Sequence, residues 1–554
     1  MHTFWVTFYS YKGGVGRSMA LANVAASLAQ AGRRVVMIDF DLEAPGLDSF
    51  EEFAVPKGRT GVVEYVCHYL ETGQVAPITE YVHEIQPVNP ADPAKPKPQP
   101  LEGKLWLMTS GAKDDSYNRK RLSIDWAELY DRRSGAEFIE NFKAEIEDTY
   151  RPDYVLVDSR TGLTDVGGVC TLHLPDLVVL LFALNEQNLQ GISSVARVLR
   201  DSEKFPQLVP VATPVPILGG GREGMVEQRL ERAKELLGTE VKHILPYSPT
   251  VALKEQILVW DGPRRSMLSH RYGEVADALR EANPDGLDFL ERGIREALEG
   301  FDLERAEEIG RLIEQDYPDR ADSWIALADL AKGKGQPEAT ERALFRALEI
   351  SPNHAAAYRR IEALLKNKKR HSELLTLLNR RIEVAEALGM EPPQQMLDDR
   401  AELLMKLGEP AEALVDYKRL FELGKDEDEP ETLASLFNLA EAGRRATGKL
   451  NREDWKPVVK AFEDASAGVS SMPASGRANK TQAMHIAYAC IGNLDKALAL
   501  LDETRKVLQQ ASPQERVFCV ADYDYLSLKE FLQRNDGMRD ALARGELWDG
   551  MKLT

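Results

Sequence analysis

The chain is poor in cysteine and has no long apolar run. Its 554 residues include four cysteines, and no two of these have the spacing of a metal site or a C-x-x-C redox pair. We therefore expect free thiols in a reducing compartment, which predicts a cytoplasmic protein. The longest apolar run, residues 177–184, is far shorter than the ~20 residues that cross a bilayer, so no membrane partner is expected.

Positive charge is also in deficit. Acidic residues number 89 and basic residues 70, which gives a formal net charge of −19. A strongly acidic chain is repelled by DNA and by anionic lipid. Residues 118–121 form a short basic cluster in this acidic background, and we interpret it as a solvated surface. A nucleic-acid partner is therefore not expected.

The first informative segment of the chain is a short apolar stretch followed by a glycine-rich loop. Residues 4–9 predict a strand, residues 12–18 read K-G-G-V-G-R-S, and residues 19–31 predict a helix. Such a strand, loop and helix direct backbone N–H groups at a phosphate, and glycine lets the phosphate approach closely. The segment therefore predicts nucleotide binding.

Four later segments extend this pattern. They are a strand ending in D-x-D, a second strand ending in aspartate, a third strand followed by N-E-Q, and a loop I-L-P-Y-S-P: residues 35–41, 154–162, 174–187 and 244–249. Together with the loop and in this order, they resemble the ParA/MinD-type ATPases. The loop is similar to the deviant Walker A motif of that family, x-K-G-G-x-x-K-S/T, with Arg17 in place of the second lysine.

The resemblance implies ATP and Mg²⁺ as cofactors, with ADP as the product. It implies that Mg²⁺ is held by Ser18, Asp39 and Asp158, partly through water, because Mg²⁺ gives up its hydration reluctantly. The nucleotide itself would be bound by residues of the loop and by two later positions: Gly13, Gly14, Val15, Gly16, Arg17, Ser18, Met19, Asn185 and Pro246. The choice of adenine over guanine rests on the resemblance alone.

The resemblance also implies two catalytic residues. Lys12 would reach the phosphates of a partner subunit, as an arginine finger does, and Asp41 would position the attacking water. The alternatives are a solvated lysine and a strand-end aspartate that caps the next turn, with Glu43 as a competitor of Asp41. Arginine is bulkier than lysine, so the rate of hydrolysis with Arg17 stays open. Arg160 departs from the family's switch and either contacts phosphate or forms a surface ion pair.

The chain divides by pattern into two parts. Up to residue 283, strand and helix signals alternate, which predicts a P-loop α/β domain with a mostly parallel sheet flanked by helices. A proline-rich stretch at about 87–100 predicts an insertion in this domain. From residue 285 to 554 helix formers dominate, which predicts an all-α helical-repeat solenoid.

Parts of the helical half resemble tetratricopeptide repeats. Trp324, Leu327, Ala347 and Pro352 fall at the spacing of that repeat, whose period is ~34 residues. Gly408, and Gly492 further on, stand where short turns between paired helices belong. The alternative is a helical-pair solenoid without true repeat identity. Either arrangement predicts a curved surface for a protein partner.

These observations favour an ATP-binding, slowly hydrolysing switch that forms a homodimer with nucleotide and binds a protein partner through its repeats. The combination of a K-G-G-V-G-R loop with helical repeats resembles bacterial signalling or defence (conflict-system) ATPases. A second reading is a non-catalytic nucleotide-binding scaffold, which the replacement at Arg17 favours. A DNA-partitioning ATPase is the third reading, and the net charge opposes it.

Overall fold

The computed structural model describes most of the chain. The described residues are 3–53, 55, 58–87, 101–161, 170, 173–202, 206–217, 224–251, 253–260, 266–426, 433–464, 474–508 and 516–553. The predicted proline-rich insertion lies outside them, apart from Pro87. The chain separates into two compact units, Met1–Ala357 and Tyr358–Thr554. The sequence-based boundary at residues 283/285 stays a prediction.

The first unit is built on a sheet of eight strands. Their bounds are β1 (Phe4–Ser10), β2 (Arg34–Asp39), β3 (Val82–Glu84), β4 (Lys104–Met108), β5 (Tyr154–Asp158), β6 (Leu177–Phe182), β7 (Gln207–Val215) and β8 (His243–Pro246). The order is β3-β4-β2-β5-β1-β6-β7-β8. Every pairing is parallel except that of β3 with β4. The carboxyl ends of β1, β2 and β5 therefore meet at one edge of the sheet.

Helices cover both faces of this sheet. Alternate residues of β5 belong to different cores: Tyr154 and Leu156 face one, while Val155 and Val157 face the other. The covering helices are α1 (Arg17–Gln30), α2 (Val62–Thr72), α3 (Tyr117–Ser123), α4 (Trp126–Arg132), α5 (Gly135–Tyr150), α6 (Glu186–Arg200), α7 (Gly224–Leu237) and α8 (Met267–Ala282), with 3₁₀ turns at Leu47–Ser49, Glu51–Phe53, Ile78–Glu80 and Leu258–Trp260.

A long run of helices follows. In the first unit these are α9 (Leu287–Glu299), α10 (Leu303–Asp316), α11 (Ala321–Gly333) and α12 (Pro337–Ile350); α13 (Ala355–Asn367) spans the unit boundary. The second unit contains α14 (His371–Ala387), α15 (Gln394–Leu407), α16 (Pro410–Asp426), α17 (Leu433–Thr447), α18 (Arg452–Asp464), α19 (Ala474–Cys490), α20 (Leu494–Leu508) and α21 (Leu528–Ala543). The predicted fold class, a mostly parallel α/β sheet followed by helices, is confirmed.

The helical part also shows details that the sequence pattern did and did not predict. Gly408 and Gly492 end their helices with φ of +83° and +89°, a left-handed conformation that favours glycine. Ala347 is fully buried, whereas Trp324 is half-buried and its indole N–H donates to the carbonyl of Pro318 at 3.0 Å. An antiparallel pair, β9 (Arg516–Cys519) and β10 (Asp524–Ser527), was not predicted, because four-residue strands give little pattern.

None of the helices in the described part of the chain combines the length and the apolar character needed to cross a bilayer.

Candidate nucleotide site

The glycine-rich loop joins β1 to α1. Gly14 and Gly16 have φ of +78° and +76°, so the loop needs glycine at both positions. A Cβ added at Gly13, Gly14 or Gly16 would meet no atom within 4 Å. The loop backbone therefore borders open space, as a phosphate cradle at the start of a helix requires.

That open space is a cavity of about 500 Å³ at the carboxyl edge of the sheet. The volume falls in the range of small-molecule sites. Predicted residues that line it are Gly13, Gly14, Val15, Gly16, Arg17, Ser18, Met19, Asp41 and Pro246. The structure thus brings residues of three separate segments to one cavity.

Other predicted residues are not among those that line this cavity. Lys12 is half-buried at the start of the loop. Asn185 is the N-cap of α6, where its side-chain oxygen accepts the backbone N–H of Asn188 at 3.0 Å. Asp39 and Asp158 lie beneath the cavity and are 1% and 0% exposed. The roles assigned to these four residues stay predictions.

Apolar residues from distant segments complete the cavity. Phe50, Val251, Leu268 and Tyr272 line it, and no motif identified them in the sequence. Thr213 and Pro214, at the end of β7, line it as well. Apolar side chains and a glycine loop that line one cavity are what a nucleotide base and its phosphates together require.

Arg17 is the most tightly held side chain of the site. It is 7% exposed, its Nε donates to Asp158 Oδ1, and its Nη2 donates to Asp41 Oδ2 at 2.5 Å. Burial lowers the pKa of Arg17, but the charges and hydrogen bonds of Asp158 and Asp41 outweigh burial and raise it above its usual value. Two of the predicted functional carboxylates are therefore partners of Arg17.

Two aspartates lie side by side below the loop. Asp39 on β2 is in register with Asp158 on β5. Burial, followed by the charge of Asp158, raises the pKa of Asp39 to about 8, against the opposing hydrogen bond from the backbone of Leu47. Burial also raises the pKa of Asp158, although Arg17 and Ser18 lower it. The pair thus has one carboxylate paired with a cation and one whose pKa burial raises.

The oxygen donors at this place fit Mg²⁺ in part. The hydroxyl of Ser18 donates to Asp158 Oδ2 at 2.5 Å, and hydroxyl and carboxylate oxygens are ligands that Mg²⁺ prefers. Asp39 accepts hydrogen bonds from the backbone N–H groups of Asp41, Gly46 and Leu47, and Asp158 accepts hydrogen bonds from Arg17 and Ser18. Within the described ranges, no group of three His, Cys, Asp or Glu side chains is arranged to hold a metal ion. Mg²⁺ would therefore depend on Ser18, on these two carboxylates, and on water and phosphate oxygens.

Arg160 lines the cavity as part of an ion pair. Its Nη2 lies 2.7 Å from Glu43 Oε2, and both side chains border the cavity. Arg121 also pairs with Glu43, at 3.3 Å. The sequence left Arg160 open between a phosphate contact and a surface ion pair; the structure shows the ion pair and places it beside the loop.

Comparisons with known proteins agree with this geometry. Residues 6–258 match the family described as the CobQ/CobB/MinD/ParA nucleotide binding domain. A segment of 43 residues is 51% identical to the septum site-determining protein MinD of Helicobacter pylori. That segment is 8% of this chain and 16% of the Helicobacter protein, so the chain aligns with only a small part of this relative's length.

Solved structures similar to the chain include two archaeal ones. The cell division ATPase MinD of Pyrococcus furiosus is 18% identical, with a TM-score of 0.38, over 51% of this chain and 100% of that one. The Pyrococcus horikoshii MinD complexed with Mg-ADP is 18% identical, with a TM-score of 0.37, over 50% and 96%. Residues 6–258 are therefore similar to nucleotide-binding domains of the CobQ/CobB/MinD/ParA type.

Proposed function

We propose that this protein is an ATP-binding and slowly hydrolysing switch. ATP with Mg²⁺ would bind in the cavity beside the glycine loop, with Lys12 and Asp41 as catalytic residues. The ATP-bound form would be a homodimer in the cytoplasm, and the helical repeats would bind a protein partner. The combination of loop and repeats supports a role in bacterial signalling or defence.

One observation carries the proposal. The loop from Gly13 to Ser18 lines a cavity of about 500 Å³ that apolar side chains and Asp41 also line. A phosphate in the loop would face backbone N–H groups and the amino end of α1, where an anion is stabilised. The apolar side chains would receive the base, and Asp41 would stand near the terminal phosphate.

Calorimetry with Mg²⁺ and ATP tests the proposal. We expect a dissociation constant in the micromolar range, which corresponds to a binding free energy on the order of −8 kcal/mol. Gly14→Val should abolish binding, because its side chain would enter the space of the phosphate. Gly13→Val should do the same without the strain of a positive φ, since Gly13 is not in the left-handed region.

Gly537→Val is a suitable control. Gly537 also has no atom within 4 Å of an added Cβ, and it lies on α21 in the second unit. This variant should bind ATP as the wild type does. Equal affinity in the wild type, Gly13→Val and Gly14→Val would contradict the proposal.

A second candidate is a scaffold that binds nucleotide but hardly hydrolyses it. The contacts of Arg17 favour this candidate, because the guanidinium is bound to Asp41, the residue proposed to position water. The variant Arg17→Lys distinguishes the slow ATPase from the scaffold. A lysine has a compact ammonium and cannot bridge Asp41 and Asp158 as the guanidinium does. For a slow ATPase we expect phosphate release from the wild type and faster release from Arg17→Lys. For a scaffold, neither protein releases phosphate above background.

A further inference from the structure

Arg160 and Glu43 both lie shortly after a strand of the sheet. Arg160 stands two residues beyond Asp158, the end of β5, and Glu43 stands four residues beyond Asp39, the end of β2. Their ion pair, 2.7 Å between Nη2 and Oε2, joins the two segments at the border of the cavity. The side chains are 33% and 44% exposed, so both reach solvent at the place where a phosphate chain would enter.

Charge in the cavity makes this arginine important. Of the described residues that line the cavity, the cationic ones are Arg17 and Arg160, whereas Asp41, Glu43 and Glu255 are acidic. Arg17 is buried and held by two carboxylates, Asp41 and Asp158. A polyphosphate needs a cation that can turn towards it, and the partly exposed Arg160 meets that need better than Arg17.

Glu43 is bonded so that Arg160 can leave it. Arg121 Nη1 lies 3.3 Å from the other oxygen of Glu43, and Arg121 is not among the residues that line the cavity. If Arg160 turned to a phosphate, Glu43 would keep Arg121 as its partner. A partly exposed ion pair contributes little to stability, so the exchange costs little.

We propose that Arg160 binds the terminal phosphate of a nucleoside triphosphate by exchanging Glu43 for it. The planar guanidinium matches a phosphate bidentately, which an ammonium cannot do. Arg160 would thereby distinguish triphosphate from diphosphate in the cavity of the proposed ATP site. The inference rests on that proposed function, because it requires the loop to hold the other phosphates.

Equilibrium binding to the full chain tests the exchange, with Mg²⁺ present and with ADP or a non-hydrolysable ATP analogue as the probe. Arg160→Ala should weaken binding of the triphosphate by roughly tenfold to a hundredfold, the loss of one charge-assisted contact, and leave ADP binding within about threefold. The triphosphate affinity of Arg160→Lys should lie between those of the wild type and Arg160→Ala. Glu43→Gln should bind the triphosphate at least as tightly as the wild type, because Arg160 is released from its partner.

Arg121→Ala is the matched control, since it also removes a partner of Glu43 but does not border the cavity. It should bind both nucleotides as the wild type does. Thermal unfolding of each variant checks that the fold is retained.

Three results would overturn the inference. If Arg160→Ala binds both nucleotides with the same affinity as Arg121→Ala, the ion pair only joins two loops. If Arg160→Ala loses affinity for both nucleotides equally, the effect of the substitution is a general structural one. A wild type that binds neither nucleotide would remove the proposed function itself, and this result is distinct because it appears before any substitution is made.

Discussion

Arg33 and Asp288 form a buried bidentate ion pair across 255 positions of the sequence. Arg33 Nε donates to Oδ2 at 2.9 Å, and its Nη2 donates to Oδ1 at 2.7 Å. The two side chains are 2% and 7% exposed. A parallel pair of charge-assisted hydrogen bonds is the strongest contact that arginine makes with a carboxylate.

Further charges complete the cluster around this pair. Arg33 Nη1 donates to Asp322 Oδ2 at 2.7 Å, and Arg280 Nε donates to Asp288 Oδ1 at 2.8 Å. Arg33 directly precedes β2, Asp288 lies on α9 and Asp322 lies on α11. The cluster therefore fixes the first helices after residue 283 to the amino end of the strand whose other end carries Asp39.

Removing one partner of this cluster should destabilise the first unit strongly. We expect Asp288→Ala to lower the free energy of unfolding by about 3–5 kcal/mol, because two arginines lose a buried counter-charge. Urea denaturation measures the change. Glu349→Ala is the control. Glu349 and its ion-pair partner Arg346 are 58% and 52% exposed, so the free energy of unfolding should fall by only about 0–1 kcal/mol. Similar losses in the two variants would contradict the importance of burial.

The same cluster predicts which fragments fold. Residues 1–357 contain every partner of Arg33, whereas residues 1–283 lack Asp288 and Asp322 and leave the guanidinium without its carboxylates. We expect the longer fragment to give a cooperative thermal transition and to resist limited proteolysis. The shorter fragment should unfold at a lower temperature or aggregate. An equally stable shorter fragment would support a domain boundary at 283/285.

Acid should weaken the cluster over a defined pH range. Burial raises the pKa of Asp322, but the hydrogen bond from His354 and the charge of Arg33 outweigh it and lower the pKa to about 2. A carboxylate with a lowered pKa in the folded state stabilises fully above its unfolded pKa of ~3.9. This contribution falls as pH drops from about 4 to about 2, and its full size is about 2 kcal/mol.

The variant Asp322→Asn isolates this effect. The wild type should be more stable than the variant at pH 6, and the difference should shrink as pH falls to 3. Urea denaturation of both proteins at each pH measures the difference, which cancels the titration of carboxylates distant from Asp322. A difference that is constant between pH 6 and pH 3 would show that Asp322 does not titrate with a lowered pKa.

Local patterns predicted the fold and much of the cavity, whereas distant pairings were not predictable. The strand, loop and helix around Gly14 are adjacent in sequence, and Pro246 is the last residue of β8. Asn185 follows β6, and its side chain caps α6. Asparagine is one of the residues that helices prefer at the N-cap. Arg33 resembles a surface residue in the sequence, since its partners lie 255 and 289 positions away.

The proposed ATPase cycle gives the last prediction, which concerns Lys12 and Asp41. If Lys12 acts on the phosphates of a partner subunit, Lys12→Ala should remain monomeric with ATP and Mg²⁺, while the wild type forms a dimer. Lys12 is half-buried at the start of the loop, and thermal unfolding of Lys12→Ala checks that the fold is retained. Asp41→Ala should bind ATP and accumulate as a dimer, because the attacking water loses its positioning group.

Light scattering with no nucleotide, ADP, ATP and a slow analogue measures these states. Lys456→Ala is the control, since this lysine is 63% exposed on α18 and its pair with Glu453 lies on the same helix. It should dimerise as the wild type does. If Lys12→Ala also dimerises normally on ATP, Lys12 does not act on the phosphates of a partner subunit. If the Asp41→Ala dimer releases phosphate at the wild-type rate, another residue positions the attacking water, and Glu43 is the nearest candidate in sequence.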